Sequence, residues 1–104
     1  DRFALLFTQR EDPVALLDLE CYGDGTATIA IVVAPTRRHE GVGRTILQSL
    51  FTLPETEDVV EIIGEVEHEN PTSHRLLRAA GFVLDSSGRG DEGYDRYLLN
   101  RAPQ

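Results

Sequence analysis

The sequence predicts an α+β domain in which a mixed, mostly antiparallel sheet carries helices on both faces, an αβα layering. A β-branched apolar run at residues 29–33 stops just before Pro35, as expected of a buried strand. Apolar residues at helical spacing then follow a glycine-bearing loop, and a second such segment ends at Gly81. Because a further strand pattern lies between these helices, the strand-helix-strand order predicts one parallel strand pair.

Length and composition limit the kind of protein. A chain of 104 residues is enough for one hydrophobic core, so residues 1–104 are expected to form a single domain. The 40% hydrophobic and 27% charged content is ordinary for a globular protein in water. No apolar run approaches the roughly 20 residues of a membrane span and no secretory leader is visible, which predicts a cytoplasmic protein without a membrane partner.

Charge is distributed unevenly. The formal net charge of −8 argues against a nucleic-acid partner and favours cationic ones. The basic residues Arg37, Arg38, His39 and Arg44 nevertheless gather around the glycine-bearing loop. A local basic cluster in an acidic chain suits an anionic ligand. The lone Cys21 excludes an internal disulfide.

The first part of the chain reads as an antiparallel meander. Apolar alternation predicts strands at residues 3–9 and 14–20, with Glu11-Asp12-Pro13 as the turn between them. A second turn at residues 22–25 leads into the central strand, which begins near Thr26 and ends near Ala34.

The second part alternates helices and strands. Val42, Ile46, Leu47 and Leu50 mark the first helix, which Leu53-Pro54 should stop, and residues 59–67 form the next strand. A second helix is expected from Asn70 or Thr72 to Gly81, followed by strands at 82–86 and 94–100. The acidic, glycine-rich loop at 87–93 is expected to be mobile.

The loop after the central strand has features of an anion site. Backbone N–H groups at a helix N-terminus bind phosphates, and Gly41 and Gly43 would let a phosphate approach closely. The dinucleotide fingerprint would need a glycine where Ile46 stands, and a P-loop would need lysine where Arg44 stands. Both nucleotide motifs are therefore excluded.

Two motifs resemble those of the GNAT superfamily of acyl-CoA N-acyltransferases. Arg38-His39-Glu40-Gly41-Val42-Gly43 is similar to its motif A, and residues 70–82, from Asn70 to Gly81-Phe82, are similar to its motif B. The resemblance runs from the family's second strand to its last. It implies a central parallel pair that splays to hold CoA, and a family strand and two helices that would precede residue 1, so that this chain is expected to be a fragment.

The resemblance also implies the cofactor contacts. Backbone groups of Val32, Val33 and Ala34 would bind the pantetheine arm and thioester of acetyl-CoA, and Asn70 would contact the cofactor. The pyrophosphate would lie on the loop residues, which are Arg38, His39, Glu40, Gly41, Val42, Gly43 and Arg44.

Acetyl transfer to an amine needs a base, because an ammonium group is not nucleophilic. Glu65 lies where some relatives carry this base, and Glu67 and Glu20 are alternatives. Leu77 stands where the family often has a tyrosine that protonates the departing thiolate. Tyr97 is therefore predicted to take the acid role, with Tyr94 or solvent as alternatives and aromatic packing as the simpler explanation for both tyrosines.

The function predicted on these grounds is transfer of an acetyl group from acetyl-CoA to a primary amine of a small molecule or a protein. The alternative is a non-catalytic acyl-CoA-binding regulatory or interaction module, which Leu77 and the missing helices would favour. A second subunit or a neighbouring domain would complete the acceptor site. No metal is expected, since Glu65, Glu67 and His68 fit a solvated strand face better than a ligand set.

Overall fold

The computed structural model describes residues 1–38, 40–85 and 93–102. Strands and helices alternate largely as the sequence predicts, and the last strand has the predicted bounds. Short 3₁₀ turns lie at Pro35–Arg37, Leu50–Thr52 and Pro54–Thr56. The regular elements are β1 (Arg2–Gln9), β2 (Asp12–Cys21), β3 (Thr26–Val33), α1 (Val42–Gln48), β4 (Glu61–Glu67), α2 (Pro71–Ala79), β5 (Val83–Leu84) and β6 (Tyr94–Asn100).

The strands form one six-stranded mixed sheet in the order β1-β2-β3-β4-β6-β5. The pair β3–β4 is parallel and its neighbours are antiparallel, which confirms the predicted sheet. Parallel pairing starts at Thr26 with Glu61 and ends at Ile29 with Gly64, although β3 continues to Val33 and β4 to Glu67. The two central strands therefore separate over their last residues and leave a gap.

Both helices pack on the same face of the sheet. Leu47 of α1 and Leu77 of α2 belong to one buried cluster with Leu17, Ile62 and Tyr97 of the sheet. The expected helices on both faces are therefore not found within the described ranges, because the apolar stripes of α1 and α2 pack on a shared core. We call the other side of the sheet the helix-free face.

The first hairpin turn differs from its prediction. It consists of Arg10 and Glu11, whose φ values are +51° and +72°, instead of residues 11–13. Pro13 pairs with Thr8 inside the β1–β2 ladder, next to a register shift between Phe7 and Thr8. Proline is tolerated beside such an irregularity because fewer ladder hydrogen bonds are required there.

A buried polar cluster holds the connection between α1 and β4. Thr56 is fully buried, and its hydroxyl lies 2.7 Å from the Leu50 carbonyl. The guanidinium of Arg101 donates to the carbonyls of Thr56 at 2.7 Å and Val59 at 2.9 Å. These bonds fix the irregular connection against the C-terminal segment. Strand β4 starts at Glu61, where its pairing with β3 begins, instead of at the predicted residue 59.

The strand predicted at residues 82–86 is shorter, with bounds Val83–Leu84. Most of the loop predicted at 87–93 lies outside the described residues, which resume at Gly93. In the described part of the chain, neither helix has the length and apolar character of a membrane-spanning segment.

Candidate cofactor-binding cleft

A cleft of about 710 Å³ lies between the end of β3, the glycine-bearing loop and the first turns of α2. The β3 residues that line it follow Ile29, the last residue of β3 that pairs with β4. Its lining residues are Ile31, Val32, Val33, Arg37, Arg38, Gly41, Val42, Gly43, Arg44, Asn70, Thr72, Ser73, Arg75, Leu76 and Ala79.

The cleft is cationic in an acidic chain. Arg37, Arg38, Arg44 and Arg75 line it, and among the residues that the structure describes no aspartate or glutamate does. Arg37 is already engaged, since it donates to Gln9 Oε1 at 2.9 Å and lies 3.8 Å from a carboxylate oxygen of Glu40. Within the described ranges the other three arginines have no ion pair. Their charges remain available to an anionic ligand.

The two glycines of the loop have different structural roles. Gly41 is the N-cap of α1 with φ +80°, and a Cβ placed on it would meet nothing within 4 Å. Its position favours glycine because of the backbone conformation, and it leaves the loop backbone open to a ligand. A Cβ on the buried Gly43 would instead lie 3.3 Å from side-chain atoms of both Val33 and Leu76. Gly43 therefore permits close packing of α1 against β3 and α2.

Helix α2 begins with a side-chain cap. The Asn70 side chain accepts a hydrogen bond from the Ser73 backbone N–H at 3.1 Å, and Pro71 occupies the first helical position. The Oδ1 atom of Asn70 is thereby used for capping, and its amide nitrogen remains a donor next to the cleft.

Leu77 is buried above a glycine of β4. A Cβ on Gly64 would come within 3.3 Å of Leu77 Cδ1, so the strand approaches α2 closely at the last paired residue. Leu77 is only 5% exposed and offers no polar atom there. Leu77 therefore cannot donate a proton to a departing thiolate.

A histidine joins α2 to two strands. His74 Nε2 lies 3.0 Å from the Glu67 carbonyl, which can only accept, so Nε2 carries the proton. In neutral His74, Nδ1 then accepts a hydrogen bond from the Tyr97 hydroxyl at 2.7 Å. Asp95 Oδ2 lies 3.0 Å from His68 Nδ1 and 3.7 Å from His74 Nε2. This network fixes the first turns of α2 against β4 and β6.

The candidate catalytic residues lie in different environments. Tyr97 is fully buried with its hydroxyl on His74, and it does not line the cleft. Glu65 is exposed on the helix-free face, one residue beyond the last parallel pair, and lies opposite Arg96 in the β4–β6 ladder. Glu67 is exposed on the same face, and Glu20 accepts from the Tyr22 hydroxyl at 3.3 Å. Of the three carboxylates, Glu65 directly follows Gly64, the last residue of β4 that pairs with β3.

The structure brings most of the predicted cofactor residues together in the cleft. Ala34 and Glu40 are not among its lining residues. The Ala34 N–H already donates to the Val14 carbonyl at 2.8 Å, and Glu40 is exposed beside Arg37. His39 lies outside the described residues. Those that line the cleft are Val32, Val33, Arg38, Gly41, Val42, Gly43, Arg44 and Asn70.

The sequence analysis missed the contribution of α2 beyond its cap. Thr72, Arg75, Leu76 and Ala79 line the cleft, together with Ser73. Their spacing is that of one helical stripe, which is the signal that could have found them. The described residues contain no group of three or more His, Cys, Asp or Glu side chains arranged to hold a metal.

Comparisons with known proteins agree with this geometry. The model of the acetyltransferase (GNAT) family matches residues 3–82. The chain is 32% identical over 87 residues to the uncharacterized N-acetyltransferase YfmK of Bacillus subtilis strain 168, covering 84% of this chain and 58% of that protein.

Solved structures share the fold. The GNAT domain of S. lividans PAT superposes with a TM-score of 0.83 at 19% identity, covering 97% of this chain and 61% of that one. Campylobacter jejuni N-acetyltransferase PseH, in complex with acetyl coenzyme A, gives a TM-score of 0.74 at 14% identity, covering 91% and 64%. The fold is thus of the GNAT type.

The chain belongs to the GNAT acetyltransferase family. It spans 58% of the length of the curated relative it matches.

Proposed function

We propose that this chain is the CoA-binding part of an N-acetyltransferase that moves an acetyl group from acetyl-CoA to a primary amine. The observation that carries the proposal is the cleft of about 710 Å³ beside the unpaired end of β3, whose lining within the described ranges has four arginines and no carboxylate. CoA is an anionic molecule with three phosphate groups, and a cleft lined by several arginines suits its charge.

Different residues of the cleft would bind different parts of CoA. The backbone around the exposed Gly41, with Arg38 and Arg44, would hold the pyrophosphate, since guanidinium groups and free N–H groups both favour phosphate. The pantetheine arm would lie along Val32 and Val33, beyond the last β3–β4 pair at Ile29. Asn70 would donate its amide N–H groups to the arm.

The acetyl thioester supplies the electrophile. On the protein side, we assign Glu65 as the base that takes a proton from the cationic amine, directly or through water. The free amine attacks the thioester carbonyl, the carbon–sulfur bond breaks, and the CoA thiolate leaves. The extra proton on the acylated nitrogen passes to the thiolate or to water, which yields the neutral amide. A cysteine thiol has a pKa of about 8.5, and an alkyl thiolate of this kind can depart without a protein acid. Tyr97 is not retained as that acid, because it is fully buried and its hydroxyl is held by His74.

The test is a calorimetric titration with acetyl-CoA of the wild-type chain, Gly41→Glu and Gly23→Glu. Gly23 and Gly41 share a φ of +80° and an open Cβ position, but only Gly41 lines the cleft. We expect micromolar binding by the wild type and by Gly23→Glu, and loss of binding in Gly41→Glu. No binding by the wild type, or equal binding by all three chains, would refute the assignment of the cleft.

A non-catalytic acyl-CoA-binding module is the second candidate. It is favoured by Leu77, which fills the space above Gly64 with an apolar side chain. Binding of acetyl-CoA without turnover over a broad panel of amines would support it. Transfer to any amine would exclude it. The panel is best run with both this chain and the full-length protein, in which a second subunit or another domain would complete the acceptor site.

A further inference from the structure

We infer that Arg75 gives this cleft a preference for CoA that carries its ribose 3′-phosphate. The inference rests on the proposed function and deepens it by naming a specificity-determining residue. Arg75 lies on α2, away from the glycine-bearing loop in sequence, yet it lines the same cleft as Arg38 and Arg44.

The position of Arg75 follows from the packing of α2. Leu76, the next residue, lies 3.3 Å from where a Cβ of Gly43 would stand. Helix α2 therefore meets the first turn of α1 directly at Leu76. Arg75 and Thr72 occupy the cleft wall beside this contact, facing the space that the loop borders from the other side.

The Arg75 side chain is available to a ligand. It is exposed, and within the described ranges it forms no ion pair or hydrogen bond. The next arginine of the helix, Arg78, lies instead over the Tyr97 ring at 5.9 Å from its centroid and does not line the cleft. Two arginines of one helix thus differ in surroundings, and only Arg75 adds charge to the cleft.

The chemistry of CoA suggests the partner of Arg75. Arg38 and Arg44 flank the loop that would hold the pyrophosphate, which leaves Arg75 as the third unpaired guanidinium of the lining. CoA has one more phosphate, on the ribose 3′ oxygen. An arginine is well suited to such a dianion, because its planar fork can donate two parallel hydrogen bonds.

The experiment is a calorimetric titration of the 104-residue chain with CoA and with dephospho-CoA, which lacks only the 3′-phosphate. A charge-assisted hydrogen bond at a partly exposed site predicts that the wild type binds CoA about tenfold more tightly than dephospho-CoA. Arg75→Gln should bind CoA and dephospho-CoA equally, with the affinity that the wild type has for dephospho-CoA. Arg75→Lys should keep part of the preference for CoA. Arg78→Gln, which removes the same charge from the same helix, should keep the full preference.

The outcomes separate this inference from the proposed function. Unchanged dephospho-CoA affinity in Arg75→Gln also shows that the variant is folded. An equal loss of affinity for CoA and dephospho-CoA in Arg75→Gln would place Arg75 on the pyrophosphate and overturn the inference. Equal wild-type affinity for both ligands would overturn it while the proposed function stands. Failure of the wild type to bind CoA, dephospho-CoA or acetyl-CoA would overturn both.

Discussion

The Tyr97 hydroxyl donates to His74 Nδ1 at 2.7 Å, which joins strand β6 to the helix that forms one wall of the cleft. His74 stands between Ser73 and Arg75, both of which line the cleft. The orientation of that wall therefore depends on a hydrogen bond made on the opposite, buried side of the helix.

Tyr97→Phe should lower the free energy of unfolding by about 1–3 kcal/mol, because it leaves a largely buried ring nitrogen without its partner. The His74 side chain is 13% exposed, so little water can replace the hydroxyl. Urea unfolding measures the loss. Tyr94→Phe on the same strand is the control, since Tyr94 is 39% exposed and should change stability little. Equal stability of both variants would contradict the role given to this bond.

Glu65→Gln should lower the turnover number for an amine acceptor by about 10²–10⁴-fold at neutral pH, the range of general base catalysis. The affinity of the Glu65→Gln variant for acetyl-CoA should not change, because Glu65 lies outside the cleft lining. The deficit should shrink as the pH approaches about 10.4, where a lysine-type amine loses its proton unaided. Glu67→Gln is the matched control on the same strand face, and equal turnover of the two variants would remove Glu65 from the mechanism.

Arg101→Ala should be among the most destabilising substitutions away from the apolar core. Its guanidinium donates to the carbonyls of Thr56 and Val59 and lies 4.5 Å from the centroid of the Phe51 ring. We expect a loss of about 2–4 kcal/mol in the free energy of unfolding, and Arg101→Lys should recover only part of it. Arg44→Ala, which removes an exposed arginine, should be nearly neutral in the same urea titration. A small effect at Arg101 would show that the α1–β4 connection holds without it.

Asp24 should make stability depend on pH. Hydrogen bonds from the Thr26 hydroxyl, and then from its backbone N–H, hold the pKa of Asp24 below its ordinary value. A carboxylate with a lowered folded pKa adds stability that is complete above its unfolded value, about 3.9, and is lost as the pH falls through the folded value. The stability difference between the wild type and Asp24→Asn should therefore be larger at pH 7 than at pH 2. A difference that is the same at both pH values would contradict this.

The strands and the loop were predictable from sequence because their signals are local. The run before Pro35 and the glycine pattern at Gly41 each predict one element, and most predicted loop residues do line the cleft. The spacing of Thr72, Arg75 and Ala79 places them on one stripe of α2, but the sequence does not say that this stripe lines the cleft, because the contact of α2 with α1 decides that. The side on which each helix packs was hard to predict for a related reason, since an apolar stripe does not say which side of the sheet it covers; the two described helices share one core.

At the junction of β3, α1 and α2, a methyl group on Gly43 would lie 3.3 Å from the Leu76 side chain, so that a neighbouring side chain would have to shift by a few tenths of an ångström. The residues allowed at these two positions should therefore be coupled during evolution. A library that randomises both should recover alanine at position 43 mainly with a side chain smaller than leucine at position 76. Since Leu76 is adjacent to Arg75, substitutions at positions 43 and 76 would also change the orientation of Arg75 relative to the loop. Ligand preference would then differ between homologues that all keep the arginine.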